Sequence, residues 1–352
     1  MNHKFWTGRR VLLTGHTGFK GAWTAVVLER LGATGHGFAL APDEDPALWS
    51  LIGDRTALTS HIGDLRDVAA LDRAIAAAKP QVVLHMAAQA QVRRSYQKPI
   101  ETFATNVLGT ANLLEALRAA PGVEVVLVIT TDKVYRNDEE GRAYGESAPL
   151  GGDDPYSASK AACEIVVESF RRSFFDPRDV VVASARAGNV LGGGDFAADR
   201  LVPDVYRAIR ARRPLQLRYP QARRPWQHVM DCVTGYLMFV EYLHAHGLSS
   251  QRALNFGPPS EGMTVAEVVD AMRAAFDEPI AYEVRTDESM PEKAALALDP
   301  TAARDLIGWT PRLSFAQTIE WTANWYAAFA RGDDALNLVL ADADRYFGLT
   351  GR

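Results

Sequence analysis

Hydrophobic residues in the first half of the chain occur in short continuous runs that are separated by longer amphipathic stretches. Continuous apolar runs of about four to eight residues predict buried parallel strands, whereas apolar residues that recur every three to four positions predict helices. The strand-like runs cover residues 10–14, 35–40, 81–88, 123–130 and 180–185. The helix-like stretches cover residues 22–31, 68–79, 106–120 and 157–174. This alternation predicts right-handed βαβ units and therefore an α/β fold with a doubly wound parallel sheet.

The pattern becomes less regular beyond residue 186. Strand and helix signals no longer alternate, and Arg, Pro and aromatic residues become frequent. We therefore predict a doubly wound Rossmann domain over residues 1–186 and a smaller, mainly substrate-binding region over residues 187–352. The second region is expected to be partly interwoven with the first.

The charge balance narrows the range of partners. The 352 residues include 38 Lys plus Arg and 43 Asp plus Glu, and the net charge of −5 argues against nucleic-acid binding. No apolar run approaches the roughly 20 residues that a membrane span needs, and the N-terminus lacks a signal-peptide pattern. The two cysteines, Cys163 and Cys232, are too few for a disulfide framework and lack the spacing of metal ligands. These features predict a cytoplasmic protein without a metal site, a nucleic-acid partner or a membrane partner.

A glycine-rich segment follows the first predicted strand. Gly15, Gly18 and Gly21 are spaced as GxxGxxG at the junction of this strand and the next helix. Glycine lets the backbone turn sharply and approach a pyrophosphate, and a helix N-terminus offers N–H groups and a positive dipole end. Packing is the alternative explanation for such glycines. Their position at the first strand–helix junction favours a dinucleotide site.

The second predicted strand bears on which dinucleotide is bound. A carboxylate at the end of this strand usually binds the adenosine ribose, but Ala39 and Leu40 occupy that place. No arginine is present there to bind a 2′-phosphate. Asp64, in the segment GDLRD, is either a contact for the adenine end of the cofactor or an N-cap of the next helix. We predict NAD rather than NADP.

Tyr156 and Lys160 lie four residues apart in YSASK, which places them on one face of a helix. A lysine ammonium beside a tyrosine lowers the pKa of the phenol and makes phenolate available as a base near neutral pH. Surface pairs with this spacing are common. The prediction therefore depends on the position of this pair after a glycine-rich loop and before a further strand.

Three reactive side chains follow the predicted strand 123–130. Thr131, Asp132 and Lys133 emerge at its carboxyl end, the edge at which doubly wound sheets bind ligands. A hydroxyl, a carboxyl and an amine in this position could orient a sugar hydroxyl and move two protons. The alternative is a polar loop in which Asp132 is a cap and Lys133 is solvated. Because the loop must lie beside the helix of Tyr156, we predict that these three residues, Tyr156 and Lys160 are catalytic.

The glycine spacing, Thr131, Tyr156 and Lys160 together resemble the extended short-chain dehydrogenase/reductase family. The added Asp132-Lys133 pair resembles the sugar-nucleotide 4,6-dehydratases of that family, and lysine in the second place resembles their CDP-glucose branch. The stretches that carry this resemblance are GHTGFKGAW, HMAAQAQVRRSY, DPYSASK, SARAGNVLGGGDFAADRLVPD, RRPWQHV and LNFGP. The family pattern TSDKCYEN is TTDKVYRN here, so Val134 and Arg136 leave the loop geometry and the fine choice of substrate open.

The resemblance implies a lyase that converts CDP-glucose to a 4-keto-6-deoxy sugar nucleotide and water through an internal NAD hydride cycle, in deoxysugar biosynthesis for surface polysaccharides such as O-antigen. Tyr156, with Thr131, would take the proton of the 4-hydroxyl. Lys133 would remove the C5 proton, and Asp132 would protonate the departing 6-hydroxyl. As a base Lys133 must be uncharged, which requires burial or a nearby cation such as Lys160. A homodimer through the helices near 106–120 and 157–174 is also implied.

Contacts to both ligands are implied as well. The residues expected to contact NAD are Gly15, Thr17, Gly18, Phe19, Lys20, Gly21, Asp64, Leu65, Ala87, Ala88, Asn106, Tyr156, Lys160 and Ala187. The residues expected to contact the CDP-hexose substrate are Gln89, Arg93, Ser95, Asn189, Arg200 and Arg224. Of these, Gln89, Arg93 and Ser95 follow the predicted strand 81–88 and are expected to face the hexose. An arginine can bind phosphate oxygens through two hydrogen bonds, although surface charge is the alternative for Arg224. We interpret His85 and His228 as structural, and Gly192 to Gly194 as a loop that folds closely around the ligand.

Two alternatives remain open. Another nucleotide-sugar enzyme, such as an epimerase, would need Tyr156 and Lys160 but would have no use for Asp132 and Lys133 as an acid–base pair. A non-catalytic NAD-binding scaffold would retain the glycine loop. Such a scaffold would have little reason to retain Thr131, Tyr156 and Lys160 together.

Overall fold

The computed structural model describes residues 1–138, 141–258, 262–276, 281–285 and 296–349. Its strands, numbered along the chain, are β1 Arg10–Thr14, β2 Thr34–Ala39, β3 Thr59–Ile62, β4 Val82–His85, β5 Val125–Ile129, β6 Ala143–Tyr144, β7 Val181–Ala187, β8 Val190–Leu191, β9 Leu215–Leu217, β10 Arg223–Arg224, β11 Gln227–His228, β12 Ala253–Phe256, β13 Met263–Thr264, β14 Tyr282–Val284 and β15 Ala297–Leu298. Seven of them form one sheet in the order β12-β7-β5-β4-β1-β2-β3. Every neighbouring pair in this sheet is parallel, which confirms the predicted doubly wound fold.

Helices connect these strands and form most of the C-terminal half. They are α1 His3–Trp6, α2 Phe19–Arg30, α3 Leu48–Ile52, α4 Val68–Ala78, α5 Val92–Gln97, α6 Pro99–Phe103, α7 Gly109–Arg118, α8 Pro155–Phe170, α9 Leu201–Ala211, α10 Val229–His246, α11 Val265–Phe276, α12 Thr301–Ile307, α13 Phe315–Ala330 and α14 Ala335–Gly348. Two π-helical segments, Ala104–Leu108 and Arg171–Phe175, adjoin α7 and α8. Across the described ranges, no helix combines the length and apolarity needed to cross a membrane.

Both faces of the sheet are covered by helices. Val11 and Leu13 of β1 belong to a hydrophobic cluster with α2, α10, α13 and α14, whereas Leu12 belongs to a second cluster with α4, α7 and α8. Successive side chains of a strand point to opposite faces, so each strand must be apolar at every position when both faces are buried. This requirement explains the continuous apolar runs in the sequence.

The segment after residue 186 returns to the central sheet. Strand β12 pairs with β7 in parallel, with Leu254 opposite Ala185 and Phe256 opposite Ala187. Helix α10 also packs behind the sheet, where Val233, Leu237 and other α10 side chains are completely buried. The C-terminal region therefore supplies strand β12 and several helices, including α10, α13 and α14, to the same core as the N-terminal strands.

The observed elements differ from the predicted ones mainly at their ends. Helix α2 begins at Phe19, earlier than predicted, because Gly18 is its N-cap and Gly21 already belongs to its first turn. The predicted helix from residue 106 starts within the π-helical segment Ala104–Leu108. Such segments widen a helix by one residue per turn and often occur at functional sites. Neither change alters the order of strands or helices.

Candidate active site

A cavity of about 550 Å³ opens where the carboxyl ends of β1, β5 and β7 meet, the edge at which doubly wound sheets bind ligands. Of the residues predicted for catalysis or binding, those that line the cavity are Phe19, Lys20, Arg93, Thr131, Asp132, Lys133, Tyr156, Ala187, Asn189, Arg200 and Arg224. The fold thus brings together the glycine-rich loop, the segment after β5, the first turn of α8 and three arginines.

Tyr156 lies in the first turn of α8, whose N-cap Asp154 accepts a hydrogen bond from the N–H of Ser157. Burial raises the pKa of Tyr156 to about 12, and a hydrogen bond with Thr131 and the charge of Arg200 offset part of this rise. Lys160 Nζ donates to the carbonyl of Ile129 at 2.9 Å, and burial lowers the pKa of its ammonium group. Lys160 contacts the backbone of β5 here, and its effect on the Tyr156 pKa stays a prediction.

The segment after β5 places an acid and an amine beside Tyr156. Thr131 caps a short 3₁₀ turn, Asp132–Val134, and its hydroxyl donates to Asp132 Oδ1 at 2.9 Å. Asp132 is buried, and its Oδ2 atom has no hydrogen-bond partner within the described residues. Lys133 is half-buried at the cavity wall. A buried carboxyl oxygen without a protein partner is available to a ligand in the cavity.

The glycine-rich loop fits a dinucleotide. Gly15 has a φ of +77°, and a Cβ atom there would lie 2.6 Å from the N atom of Ala87. A Cβ atom on Gly21 would lie 2.0 Å from the carbonyl oxygen of Gly15, so only glycine permits the close contact between the turn and α2. Gly18 is exposed and leaves the first N–H groups of α2 without a side-chain cap. These N–H groups suit a pyrophosphate.

Thr17 and Asp64, which were both predicted to contact NAD, make hydrogen bonds within the protein. Thr17 lies in the loop after β1, close to the end of β2. Its hydroxyl donates a hydrogen bond to the Leu40 carbonyl at 2.9 Å. Asp64 accepts hydrogen bonds from the backbone and guanidinium of Arg66, and Asp67 rather than Asp64 caps α4. The N-cap alternative for Asp64 is therefore wrong. The adenine contact stays a prediction.

Four further residues were predicted to contact NAD. They are Leu65, Ala87, Ala88 and Asn106. Leu65 is buried against Gly109, and Ala87 and Ala88 are partly exposed. Asn106 is buried and hydrogen-bonds to both backbone groups of Gln89 and to Ser159, at 2.8–3.0 Å. Asn106 therefore fixes the loop after β4 to α8.

Two residues that were expected to face the hexose lie outside the cavity lining. The amide of Gln89 donates to Thr102 at 2.9 Å and accepts from the backbone of Gln91 at 2.6 Å. Ser95 is completely buried, where its hydroxyl accepts from the N–H of Tyr156 at 3.1 Å. In this structure Gln89 and Ser95 support the loop and the start of α8 instead of lining the cavity.

The glycines at 192–194 are explained by packing. A Cβ atom on Gly193 would lie 1.9 Å from the Trp325 ring, and one on Gly194 would lie 2.8 Å from Leu48. Phe19 also lies against Gly192. Gly193 and Gly194 fit this loop against α13 and α3, whereas Gly192 also lines the cavity, so the folding of the loop around a ligand stays a prediction.

Both histidines that were interpreted as structural are buried: His228 is completely inaccessible to solvent, and His85 is 2% exposed. His85 lies between the hydroxyls of Thr14 and Thr110, at 2.7 and 2.9 Å. His228 accepts a hydrogen bond from the N–H of Met230 at the start of α10. Burial lowers the pKa of both imidazoles to about 3, so both are neutral at physiological pH.

Comparison with known proteins identifies the family. The family model described as GDP-mannose 4,6 dehydratase matches residues 12–322. This chain belongs to the extended short-chain dehydrogenase/reductase family of NAD-dependent epimerases and dehydratases. It is 40% identical to the CDP-glucose 4,6-dehydratase of Salmonella typhimurium over 100% of both chains, and 31% identical to a dTDP-glucose 4,6-dehydratase of Xanthomonas campestris over 75% of this chain and 77% of the relative. The Thermus thermophilus UDP-glucose 4-epimerase, solved in complex with NAD, superimposes with a TM-score of 0.78 at 26% identity over 90% of this chain and 98% of that one.

Within this epimerase/dehydratase fold, one buried network was not anticipated from the sequence. Glu164 of α8 accepts hydrogen bonds from Thr130, Ser184 and Arg186 at 2.6–2.9 Å. Arg186 also donates to the hydroxyl of Tyr135 at 2.8 Å. The network therefore holds both ends of the segment 130–135, which contains the predicted catalytic residues. The sequence feature that could have indicated this network is the carboxylate of Glu164, four residues beyond Lys160 and therefore on the same face of the helix.

Proposed function

We propose that this chain is an NAD-dependent CDP-glucose 4,6-dehydratase that releases CDP-4-keto-6-deoxy-D-glucose and water. The observation that carries the proposal is the position of Thr131, Asp132 and Lys133 beside Tyr156 in one cavity. A dehydratase needs an acid for the 6-hydroxyl and a base for the C5 proton besides the residue that serves the 4-hydroxyl. This cavity offers a group for each role.

The assignment of CDP-glucose is supported by the full-length relative. The Salmonella typhimurium enzyme bears that name and is 40% identical over its whole length, whereas the dTDP-glucose dehydratase is 31% identical over about three quarters of each chain. The Asp132-Lys133 pair, with lysine in the second place, also resembles the CDP-glucose branch. The nucleotide base therefore follows from relationship, and the reaction type follows from the site.

NAD would be held by the turn of Gly15 and Gly18, the first turn of α2, and Tyr156 with Lys160. The chemistry that NAD would supply there is reversible hydride transfer, which serves C4 of the hexose first and C6 afterwards. The uncapped N–H groups of α2 would bind the pyrophosphate, and Lys160 would orient the nicotinamide end. Support for this cofactor also comes from the Thermus thermophilus epimerase, which was solved with NAD.

The proton transfers are assigned to groups of this chain. The phenolate form of Tyr156 would take the proton of the sugar 4-hydroxyl, and the hydrogen bond with Thr131 would stabilise that form. Oxidation at C4 acidifies the C5 proton, which Lys133 Nζ would remove. Asp132 Oδ2, which has no partner within the described residues, would give a proton to the departing 6-hydroxyl. General acid–base catalysis of this type contributes about 10²- to 10⁴-fold to a rate for each positioned group.

A homodimer is the assembly that the surface favours. Phe103, Leu108 and Ile165 are exposed by 38%, 54% and 62% on neighbouring helical segments, and Ile100 of α6 is exposed by 80%. Clusters of exposed apolar side chains mark interaction surfaces. We also propose a cytoplasmic location, because both cysteines are buried free thiols.

The test is incubation of the purified protein with NAD and, separately, CDP-, dTDP-, GDP- and UDP-glucose. Mass spectrometry is expected to detect loss of one water from CDP-glucose without net NADH. With CDP-glucose deuterated at C4, the label is expected at C6 of the product. An altered sugar of unchanged mass would establish an epimerase instead, and net NADH would establish a simple dehydrogenase.

A further inference from the structure

The loop between β8 and α9 places two carboxylates among the arginines of the cavity. Asp195 Oδ2 lies 2.9 Å from Arg200, and Asp199 Oδ1 lies 3.0 Å from Arg218 and 3.6 Å from the Nε atom of Arg93. All five residues line the cavity. These carboxylates put negative charge into a cavity that is proposed to bind a negatively charged nucleotide sugar.

The two carboxylates differ in how firmly they are held. Asp195 is 4% exposed, its Oδ1 atom accepts from the N–H of Ala197, and the preceding Gly193 and Gly194 are packed under Trp325 and Leu48. The side chain of Asp199, by contrast, is 48% exposed at the tip of the loop. Asp195 is therefore a fixed part of the wall, whereas Asp199 can move into solvent without opening the core.

The carboxylate of Asp199 also lies close enough to the carboxylate of Asp204 to repel it. Burial raises the pKa of Asp204 in the first turn of α9, and the charge of Asp199 raises it further. Arg218 lies close to both carboxyl groups and offsets their repulsion. Asp204 also pairs with Arg207, so it keeps a partner when a ligand binds Arg218, whereas Asp199 loses its shorter contact.

We infer that Asp199 is a displaceable counter-anion, which pairs with Arg93 and Arg218 in the free protein and gives way to the diphosphate of the substrate. The inference rests on the proposed function for the identity of the ligand. A nucleotide sugar is negatively charged on both phosphates, and arginine binds phosphate oxygens as well as carboxylate oxygens. The substrate and Asp199 therefore compete for the same two guanidinium groups.

The competing explanation is that Asp199 is a positioning residue that orients Arg93 and Arg218 for the substrate. The two roles predict opposite effects of removing the charge. Loss of a competitor strengthens substrate binding, whereas loss of an orienting partner weakens it. The direction of the change in KM therefore separates the roles.

The test is Asp199→Asn, compared with Asp344→Asn as the matched control. Residue 199 has a φ of +60°, a conformation that asparagine adopts as readily as aspartate, so the backbone is preserved. Asp344 is similarly exposed, pairs with Arg30 on another surface and does not line the cavity. Both substitutions remove one negative charge and one exposed ion-pair partner.

The variant Asp199→Asn is expected to lower KM for CDP-glucose and the Kd for CDP, by calorimetry, each about two- to tenfold, the range for one or two exposed ion pairs. The turnover number should stay within about twofold of the wild type, and the effect should shrink at high salt. Unchanged or raised KM and Kd would overturn the inference, as would the same decrease in Asp344→Asn. If CDP-glucose is not turned over but CDP binds more tightly to Asp199→Asn, the proposed function fails while the counter-anion role stands. If CDP binds to neither protein, the counter-anion role is overturned.

Discussion

Glu164 and Arg186 form a buried ion pair behind residues 130–135, with N–O distances of 2.6 and 2.8 Å and only 5% exposure of either side chain. Glu164 lies on the same helix as Tyr156 and Lys160, while Arg186 belongs to β7. The pair therefore connects the helix of Tyr156 with the sheet and, through Thr130 and Tyr135, with the segment that carries Asp132 and Lys133.

Removal of one partner should be costly because the other charge remains buried. We expect Glu164→Ala to lower the free energy of unfolding by about 3–5 kcal/mol. Glu168→Ala is the control one turn further along α8, where the carboxylate is 44% exposed and pairs with Arg171 and Arg172, and should cost less than about 1 kcal/mol. Urea denaturation measures both. Equal losses would show that Glu164 makes no special contribution.

Lys133→Ala should remove the base for the C5 proton and leave the glycine-rich loop intact. We expect dehydration of CDP-glucose to fall about 10²- to 10⁴-fold while NAD affinity changes little. Exchange of the C5 hydrogen with deuterated water, followed by mass spectrometry, should fall in parallel. Lys98→Ala, on the surface between α5 and α6, is the control. A turnover rate equal to that of the wild type would remove Lys133 from the mechanism.

Asp132→Asn should separate the removal of the C5 proton from the loss of water. Asparagine keeps the size of the side chain and an oxygen for the Thr131 hydroxyl, but it has no acidic proton for the 6-hydroxyl. We expect dehydration to fall about 10²- to 10⁴-fold while C5 exchange continues. Simultaneous loss of both processes would instead assign Asp132 to an earlier step.

The stability of the protein should decrease as the pH rises through the range in which Asp342 ionises. Burial raises the pKa of Asp342 from 3.8 to about 7, and its Oδ2 atom has no hydrogen-bond partner in the described ranges. The folded state therefore holds a proton that the unfolded state releases, and stability is lost between about pH 4 and pH 7. Asp342→Asn should raise Tm at pH 8 by about 2 °C and change it little at pH 4. Calorimetry at both pH values, with Asp344→Asn as control, tests this assignment.

Ile165→Glu should prevent the proposed dimer. The side chain lies on the outer face of α8 and is 62% exposed, so a charge there is tolerated in the monomer but not in an apolar interface. Light scattering after gel filtration should find a dimer for the wild type and a monomer for the variant. Leu306→Glu, on the exposed surface of α12, should leave the assembly unchanged. A monomeric wild-type protein would refute the dimer directly.

The fold was predictable because the signal for it is local. Strands buried on both faces must be apolar throughout, as in β4 and β5, and this requirement is readable without knowledge of neighbouring elements. Element ends were less predictable. The π-helical segment at Ala104–Leu108 arises where Asn106 binds the backbone of Gln89, a contact between residues distant in sequence.

The candidate site was predictable in its composition but not in its electrostatics. Spacing placed Tyr156 and Lys160 on one helix face, and the sheet rule placed Thr131 to Lys133 beside them. The hydrogen bond from Lys160 to the Ile129 carbonyl and the raised pKa of Tyr156 both depend on how the chain packs around these groups. Motif spacing does not contain this information. Gln89 and Ser95 were assigned to the hexose because they follow β4, but buried polar groups find internal partners when these are closer than a ligand.

The pairing of β12 with β7 sets a rule for grafting substrate preference between members of this family. A chimaera joined near residue 187 would exchange the outermost strand of the sheet together with the ligand-binding segments, since Leu254 and Phe256 lie opposite Ala185 and Ala187. The donor half must therefore match the recipient's β7 in side-chain size as well as supply the desired pocket. Exchange of the loop and helix at 192–211 alone leaves the pairing of β12 with β7 unchanged. We therefore expect a larger fraction of these chimaeras to fold.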